Sequence, residues 1–503
     1  MANILQQLDE LKTQFTPGAA RRVERLLKQL SRTTFTDTDS LFRYHELLLF
    51  IRAYPHDAAI ELATDTELQN FSDRVNHLRE QEVDLSPLQH PEVSGIAGTS
   101  VIDTFGFYIV RWLLHRHRTQ VTLDWDWFEN ENALAEIWPQ LIPLLAEDAL
   151  VEANVPYREW LAAARNGAPE LAWLLERINE LPKPERERAE LYNCQQLYVR
   201  WTPNYSASRT GMRVSARNVF YHQAPLIQRR DIDLTRELAQ PSPKLQKLSP
   251  AQGEKALDRA REASTVRYRE LYGFTHGDSK HVYRAELGRG VELFLMGVPP
   301  AKRLPLRAYH AAMIYKNGVP VGYFEGLSFF ERMESGFNLY YTFRDGETAW
   351  LYARTLNVMH HFAGVTAFSL DPYQIGHENE EGIESGAFWF YRKLGFRPVQ
   401  KDTMELVLKE EEKLRTRKGY RTAAATLRKL AGSPMIFELD EKRRGDWDRF
   451  QVRKIGFRAQ QKPVLMPERI ISAKMGVEEV NYLRLMQKDE KLRRAIIQLG
   501  TTD

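Results

Sequence analysis

Ala387-Phe388-Trp389-Phe390-Tyr391-Arg392-Lys393-Leu394-Gly395-Phe396-Arg397-Pro398 is the stretch on which the fold turns. Its aromatic residues continue a helix predicted over residues 383–394. Gly395 stops that helix, because a residue without a Cβ takes the left-handed turn that ends helices at no steric cost. Working back toward the N-terminus, the apolar run 365–370 reads as a strand. Residues 348–362, after the turn at Asp345-Gly346, read as a helix, and 337–343 as another strand. Further back, 309–315 and 319–324 flank Lys316-Asn317-Gly318. Asn-Gly is the strongest short-range hairpin signal, because a two-residue turn needs positive φ at both positions. Residues 291–298 supply a strand before the hairpin, and 404–408 one after the helix. The order β–β–β–β–α–β–α–β predicts an α/β domain, a mixed sheet with helices packed on it.

The flanks read differently. Over the first 190 residues Leu8, Leu11 and Phe15, then Val23, Leu26, Leu27 and Leu30, recur at helical spacing. Residues 41–53, 138–150 and 171–178 add helices, so this region is expected to be a mainly helical domain. Pro182 and Pro184 punctuate its end, and strand-rich patterns follow at 195–201 and 217–221. His115, Arg116, His117 and Arg118 read as solvated cations at a helix end. After residue 408 the chain turns basic, with Lys413, Arg415, Arg417, Lys418, Arg421, Arg428 and Lys429, and is expected to be mainly helical. The expected domains are therefore 1–190, 191–408 and 409–503.

Composition narrows the chemistry. A chain of 503 residues is too long for one core, and 43% hydrophobic with 27% charged residues is globular. Its single cysteine, Cys194, excludes an intrachain disulfide and a multi-cysteine zinc site, and such a lone cysteine is expected to be a small buried apolar residue. A net charge of +3 gives no global signal for nucleic acid. The N-terminus lacks the pattern of a signal peptide, and residues 101–114 fall short of the apolar length a bilayer requires, so a cytoplasmic protein with no membrane partner is expected. No nucleophile elbow, phosphate-binding P-loop, His-Glu-x-x-His or dinucleotide loop is present.

From about residue 285 to 400 the chain resembles the GCN5-related N-acetyltransferase (GNAT) superfamily, in which Ala-x-x-x-Tyr-x-x-x-Gly-Phe ends the fourth helix; here that is Ala387, Tyr391, Gly395 and Phe396. The resemblance extends weakly back toward Leu191, with residues 225–234 as the family's first strand. It implies transfer of an acyl group from acetyl-CoA or another acyl-CoA to an amine, on a small molecule or a protein. It also implies that the coenzyme's pyrophosphate lies on backbone amides between the fourth strand and third helix, where helix N-termini attract anions. The family pattern is Arg/Gln-x-x-Gly-x-Gly/Ala. This chain has Arg344-Asp345-Gly346-Glu347-Thr348-Ala349, so Arg344, Gly346, Glu347, Thr348 and Ala349 are the candidate cofactor-binding residues, with the glycine one position early. Asp345 and Glu347 put negative charge at that site, and their carboxylates must point away if it is to hold phosphate. Where the family often has asparagine seven residues before the tyrosine, this chain has Glu384, in an acidic run with Glu378, Glu380 and Glu381. The run reads either as helix N-terminal acids or as binding groups for a cationic substrate.

Tyr391 matches the family's general acid, or is a packed ring whose hydroxyl meets backbone. Glu325, on the strand after the hairpin, is a candidate base or a solvated carboxylate. His377 and His310 are further base candidates, since imidazole titrates near neutrality. Two other functions remain open: a GNAT-like domain that has lost catalysis and serves as a binding or scaffold module, and an aminoacyl-tRNA-dependent transferase whose basic run 413–429 meets tRNA phosphates.

Overall fold

Local capping sets where the first helices begin. Thr16 accepts a hydrogen bond from the Ala19 amide at 3.2 Å and is followed by Pro17, so Pro17–Leu30 starts there. Asp37 and Asp57 do the same for Thr38–Ala53 and Ala58–Gln69. The computed structural model describes residues 1–142, 152–216, 218–304, 306–461 and 488–501. Two compact units result. The first comprises Met1–Ser215, Tyr221–Gln223 and Leu257–Thr275; the second comprises Ala216–Phe220, Ala224–Ala256 and His276–Asp503.

The first unit buries the periodic leucines as the spacing requires, Leu5, Leu8 and Leu11 on one helix and Val23, Leu26, Leu27 and Leu30 on the next. Each such side chain contributes about 1.5–3 kcal/mol on burial. It is mainly helical but also carries a small sheet of β1 (Val101–Asp103), β2 (Val121–Leu123) and β3 (Val199–Trp201), with β3 antiparallel to both neighbours. The strand expected at 195–201 is thus shorter, and it belongs to this unit. The helix expected at 138–150 is Glu131–Leu141, and residues 143–150 lie outside the described residues. His117 differs from a solvated cation: it is buried, packs on Trp201 and lies 3.4 Å from Glu262, while Arg116 pairs with Asp258 at 2.9 Å. Cys194 is exposed, against the expectation of a buried apolar role.

The second unit is built on a nine-stranded mixed sheet. Its strands are β4 (Gln246–Lys247), β5 (Val282–Gly288), β6 (Val291–Met296), β7 (Ala308–Lys316), β8 (Val319–Phe329), β9 (Arg332–Leu339), β10 (Ala367–Leu370), β11 (Arg397–Pro398) and β12 (Met435–Glu438). Their order is β11-β12-β10-β9-β8-β7-β6-β5-β4. β7 and β8 form the expected hairpin, with Lys316 opposite Val319 and positive φ at both Asn317 and Gly318. Helix Thr348–Ala363 joins β9 to β10, which are parallel, as a crossover connection requires.

Several expectations are corrected. The helix expected at 383–394 is two, Glu380–Glu384 and Ala387–Arg392, broken at Gly386, whose φ of +69° leaves the helical region. The strand expected at 337–343 is β9, which ends at Leu339 and is followed by a 3-10 turn at Tyr341–Phe343. Residues 404–408 are not a strand but part of helix Lys401–Thr416, which buries Thr403, Val407 and Glu410 at intervals of three to four, the helical period. Residues after 408 are not a purely helical tail, because β12 enters the sheet between β10 and β11, antiparallel to both. Residues 225–234 supply no strand of the sheet, whose edge strands are β4 and β11; of 217–221, residue 217 lies outside the described residues and the rest is not strand.

Two cores flank β8, β9 and β10. One is aromatic: Tyr352 lies 5.1 Å from Phe337 and 5.5 Å from Tyr391, and Phe396 lies 5.8 Å from Phe437, centroid to centroid. Such pairs add about 0.5–1.5 kcal/mol each beyond their buried area. The other is formed by Leu306, Phe329, Ala367 and Ile436 with Trp447, Phe450, Val452, Ile455, Ile496 and Leu499 from the C-terminal region.

Candidate functional site

β9 pairs with β10 only over its first three residues, Arg332, Met333 and Glu334, which face Ala367, Phe368 and Ser369 of the four-residue β10. Beyond Glu334 no β9–β10 pairing continues, and the backbone of β9 on that edge needs other partners. One comes from Gln374, whose Nε2 donates to the Phe337 carbonyl at 2.9 Å and to the Tyr391 hydroxyl at 3.2 Å. Gln374 is held by the short helix Pro372–Ile375, capped by Asp371. Sequence reasoning passes over this glutamine, which carries no motif.

Tyr391 is 3% exposed among Tyr352, Phe390 and Phe396. Burial pushes its phenol well above the ordinary range, partly offset by the Gln374 hydrogen bond. It is therefore a protonated phenol at neutral pH, packed and hydrogen-bonded.

Glu325 stands on β8 opposite Ala311 of β7 and Gly336 of β9. These small neighbours leave the sheet open around it: a Cβ placed on Gly336 would meet nothing nearer than Gln374 Oε1 at 3.8 Å. Tyr309 donates its hydroxyl hydrogen to Glu325 Oε1. Gln374 thus joins the Tyr391 hydroxyl to Phe337, which pairs with Phe324, the residue before Glu325. His377 is exposed on the loop after Pro372–Ile375. His310 is buried against Phe362, and burial, helped by Arg303, lowers its pKa to about 4, which makes it a weak base.

The 344–349 loop arranges its charges as a phosphate site requires for one acid and not for its arginine. Glu347 is the N-cap of helix Thr348–Ala363, yet its carboxylate makes no cap hydrogen bond. It is 1% exposed and turned to Arg289, whose Nε and Nη2 lie 3.0 and 2.5 Å from its oxygens. It also accepts from the Ile227 amide at 3.1 Å and lies 3.9 Å from Lys316 Nζ. Two cations neutralise it, so the amides opening the helix through Thr348, Ala349 and Trp350 meet no cap carboxylate. The Gly346 amide is already used, bonding the Phe343 carbonyl at 3.0 Å, and Thr348 Oγ1 bonds the Arg344 carbonyl at 3.1 Å. Asp345 is exposed. Arg344 lies over the Tyr341 ring at 5.5 Å and pairs with Glu381.

Of the acidic run, Glu380 pairs with Arg428 at 2.8 Å and Glu381 with Arg344, while Glu384 and Glu378 are exposed. In the basic run, Lys413 pairs with Glu410 and Arg415 with Glu412, so three of its seven cations are engaged by carboxylates.

Lys316 and Arg289 are the other residues the sequence left unmarked. Both lie 5.0 Å from the Phe220 ring. Asn317 binds both backbone groups of Phe220, accepting from its amide at 2.8 Å and donating to its carbonyl at 3.1 Å. Lys316 donates to the Arg289 carbonyl, and burial lowers its pKa to about 7, against the pull of Glu347 and with the repulsion of Arg289. Their partners lie 27 to 97 residues away in sequence, which is why no local pattern marks them.

Among the described residues, no group of three or more His, Cys, Asp or Glu is placed to hold a metal ion, and no helix is long and apolar enough to cross a membrane. Comparison with family models, with curated proteins and with solved structures returns no match for this chain.

Proposed function

We propose that the second unit is an N-acyltransferase that takes an acyl group from acetyl-CoA or another acyl-CoA and delivers it to an amine. The observation that carries this reading is the start of helix Thr348–Ala363, uncapped and relieved of the Glu347 charge by Arg289 and Lys316. Such an end attracts a pyrophosphate through its free amides and dipole. The gap between β9 and β10 then takes the thioester arm, displacing Gln374 from the Phe337 carbonyl. Glu325 removes a proton from the attacking ammonium. The amine nitrogen bonds to the thioester carbon, the C–S bond breaks, and Tyr391, released by Gln374, protonates the departing sulfur, its phenolate then taking the second proton that the nitrogen sheds on becoming an amide.

The test incubates the full chain with acetyl-CoA and a panel of primary amines and follows thiol release, with the signal of the exposed Cys194 subtracted. Amine-dependent release is expected; none across the panel overturns the enzyme reading. A second reading, a domain that binds a donor without turning it over, is favoured by the burial of Tyr391 and the commitment of its hydroxyl to Gln374.

A further inference from the structure

Register aligns three rows on one face of the second unit's sheet. Glu325 and Gly336 form one row, Tyr309, Leu327 and Glu334 the next, and Phe329, Arg332 and Ala367 the last. Arg332 is 5% exposed, and its Nε and Nη1 have no hydrogen-bond partner among the described residues. Its guanidinium lies 5.6 Å from the Phe450 ring, which is itself stacked on Phe329.

Each carboxylate nearby along the strands already has a cation. Glu334 is held by Arg453 at 2.8 Å, Glu331 by Arg493 and Arg443, and Glu438 by Arg397. Arg332 is the surplus charge. A guanidinium keeps its proton at any working pH, and leaving it buried without hydrogen bonds is costly. The partner that removes the cost is an anion from outside the described chain, and the planar fork of arginine fits a carboxylate through two parallel bonds.

We infer that Arg332 anchors a carboxylate of the acceptor, so that the amine acylated at Glu325 belongs to a carboxylate-bearing molecule such as an amino acid. This rests on the N-acyltransferase reading for Glu325. The two residues stand four positions apart in register, about 14 Å along the strand. The row of Tyr309, Leu327 and Glu334 lies between them, and the proposed acceptor spans that row with its carboxylate at Arg332 and its amine at Glu325.

The test compares glycine, 4-aminobutyrate and 6-aminohexanoate with amines of equal length lacking the carboxylate, at fixed acetyl-CoA. Wild type is expected to favour at least one carboxylate-bearing partner by about tenfold or more in kcat/KM. Arg332→Met is expected to erase that preference, and Arg332→Lys, which keeps the charge and loses the fork, to retain only part of it. A second arm needs no turnover: succinate is expected to raise the melting temperature of wild type and not of Arg332→Met. Equal preference in wild type and Arg332→Met overturns the inference, as does a succinate shift that is absent or the same in both proteins. So does an Arg332→Met protein that melts well below wild type without ligand, since that makes Arg332 a structural group. If wild type acylates no amine, the enzyme reading fails, and the succinate arm alone decides whether Arg332 binds carboxylate.

Discussion

Glu347 and Arg332 are both buried charges in the second unit, and they are treated in opposite ways. Glu347 meets two side-chain cations and a backbone amide, and its network extends through Lys316 and Asn317 to Phe220. Arg332 meets an aromatic ring and no hydrogen-bond acceptor for its Nε or Nη1 among the described residues. A saturated buried charge holds structure together, and its removal strands its partners. An unsaturated one weakens the fold. On the inference drawn for Arg332, the difference separates scaffold from site within one sheet.

The largest effect expected is at Glu347. Glu347→Ala leaves Lys316 buried and Arg289 half-buried with no carboxylate, and denaturant unfolding should show a loss of about 3 kcal/mol, the low end for a broken buried pair because Arg289 keeps access to water. A loss under 1 kcal/mol would mean that the network is not structural, and the comparison would break. Arg332→Met should do the reverse: stability in the absence of ligand should be unchanged or higher by about 1–4 kcal/mol, because a buried unpaired charge is replaced by an apolar chain of similar volume.

The same network carries a pH signature. Burial lowers Lys316 to about 7, whereas the unfolded chain holds that proton to about 10.4. Between these values the unfolded state binds the extra proton. Wild-type stability relative to Lys316→Met should therefore rise as pH rises from about 7 to about 10, by up to about 1.4 kcal/mol per pH unit, and be flat below pH 7. A difference independent of pH would show that Lys316 keeps its charge when folded. The smallest effect is at Tyr391: Tyr391→Phe removes one hydrogen bond and should cost about 0.5–1.5 kcal/mol. Amine acylation should fall at least about tenfold in the same variant. Unchanged turnover would reassign Tyr391 to packing.

What the sequence disclosed follows from how local each signal is. The Asn317-Gly318 hairpin is fixed by two residues, and the stop of the helix expected at 383–394 by Gly395, whose φ is +103°; the break at Gly386 inside that span carries no comparable local signal, since the apolar pattern runs across it. Within helix Lys401–Thr416, residues 404–408 read as a strand because Met404, Val407 and Leu408 are apolar enough for a short one, and the burial that decides the period belongs to tertiary packing. β12 was invisible for a different reason. It pairs with β10 and β11 across intervening helices, and a four-residue strand beyond a basic run carries no signal of its partners. In the candidate site, Glu325 and Tyr391 stand out in the sequence by residue type. The bond from Gln374 to Tyr391 and the neutralisation of Glu347 depend on contacts distant in sequence, and no spacing rule reaches them.

The central claim is that the opening of helix Thr348–Ala363 holds the pyrophosphate of an acyl-CoA. Calorimetric titration of the full chain with acetyl-CoA, repeated with Asp345→Asn, tests it most directly. Asp345 is exposed beside that helix start, so its substitution removes an opposing charge and leaves the buried network intact. Saturable binding at one site per chain is expected, tighter in Asp345→Asn than in wild type; no heat from either protein would contradict the claim.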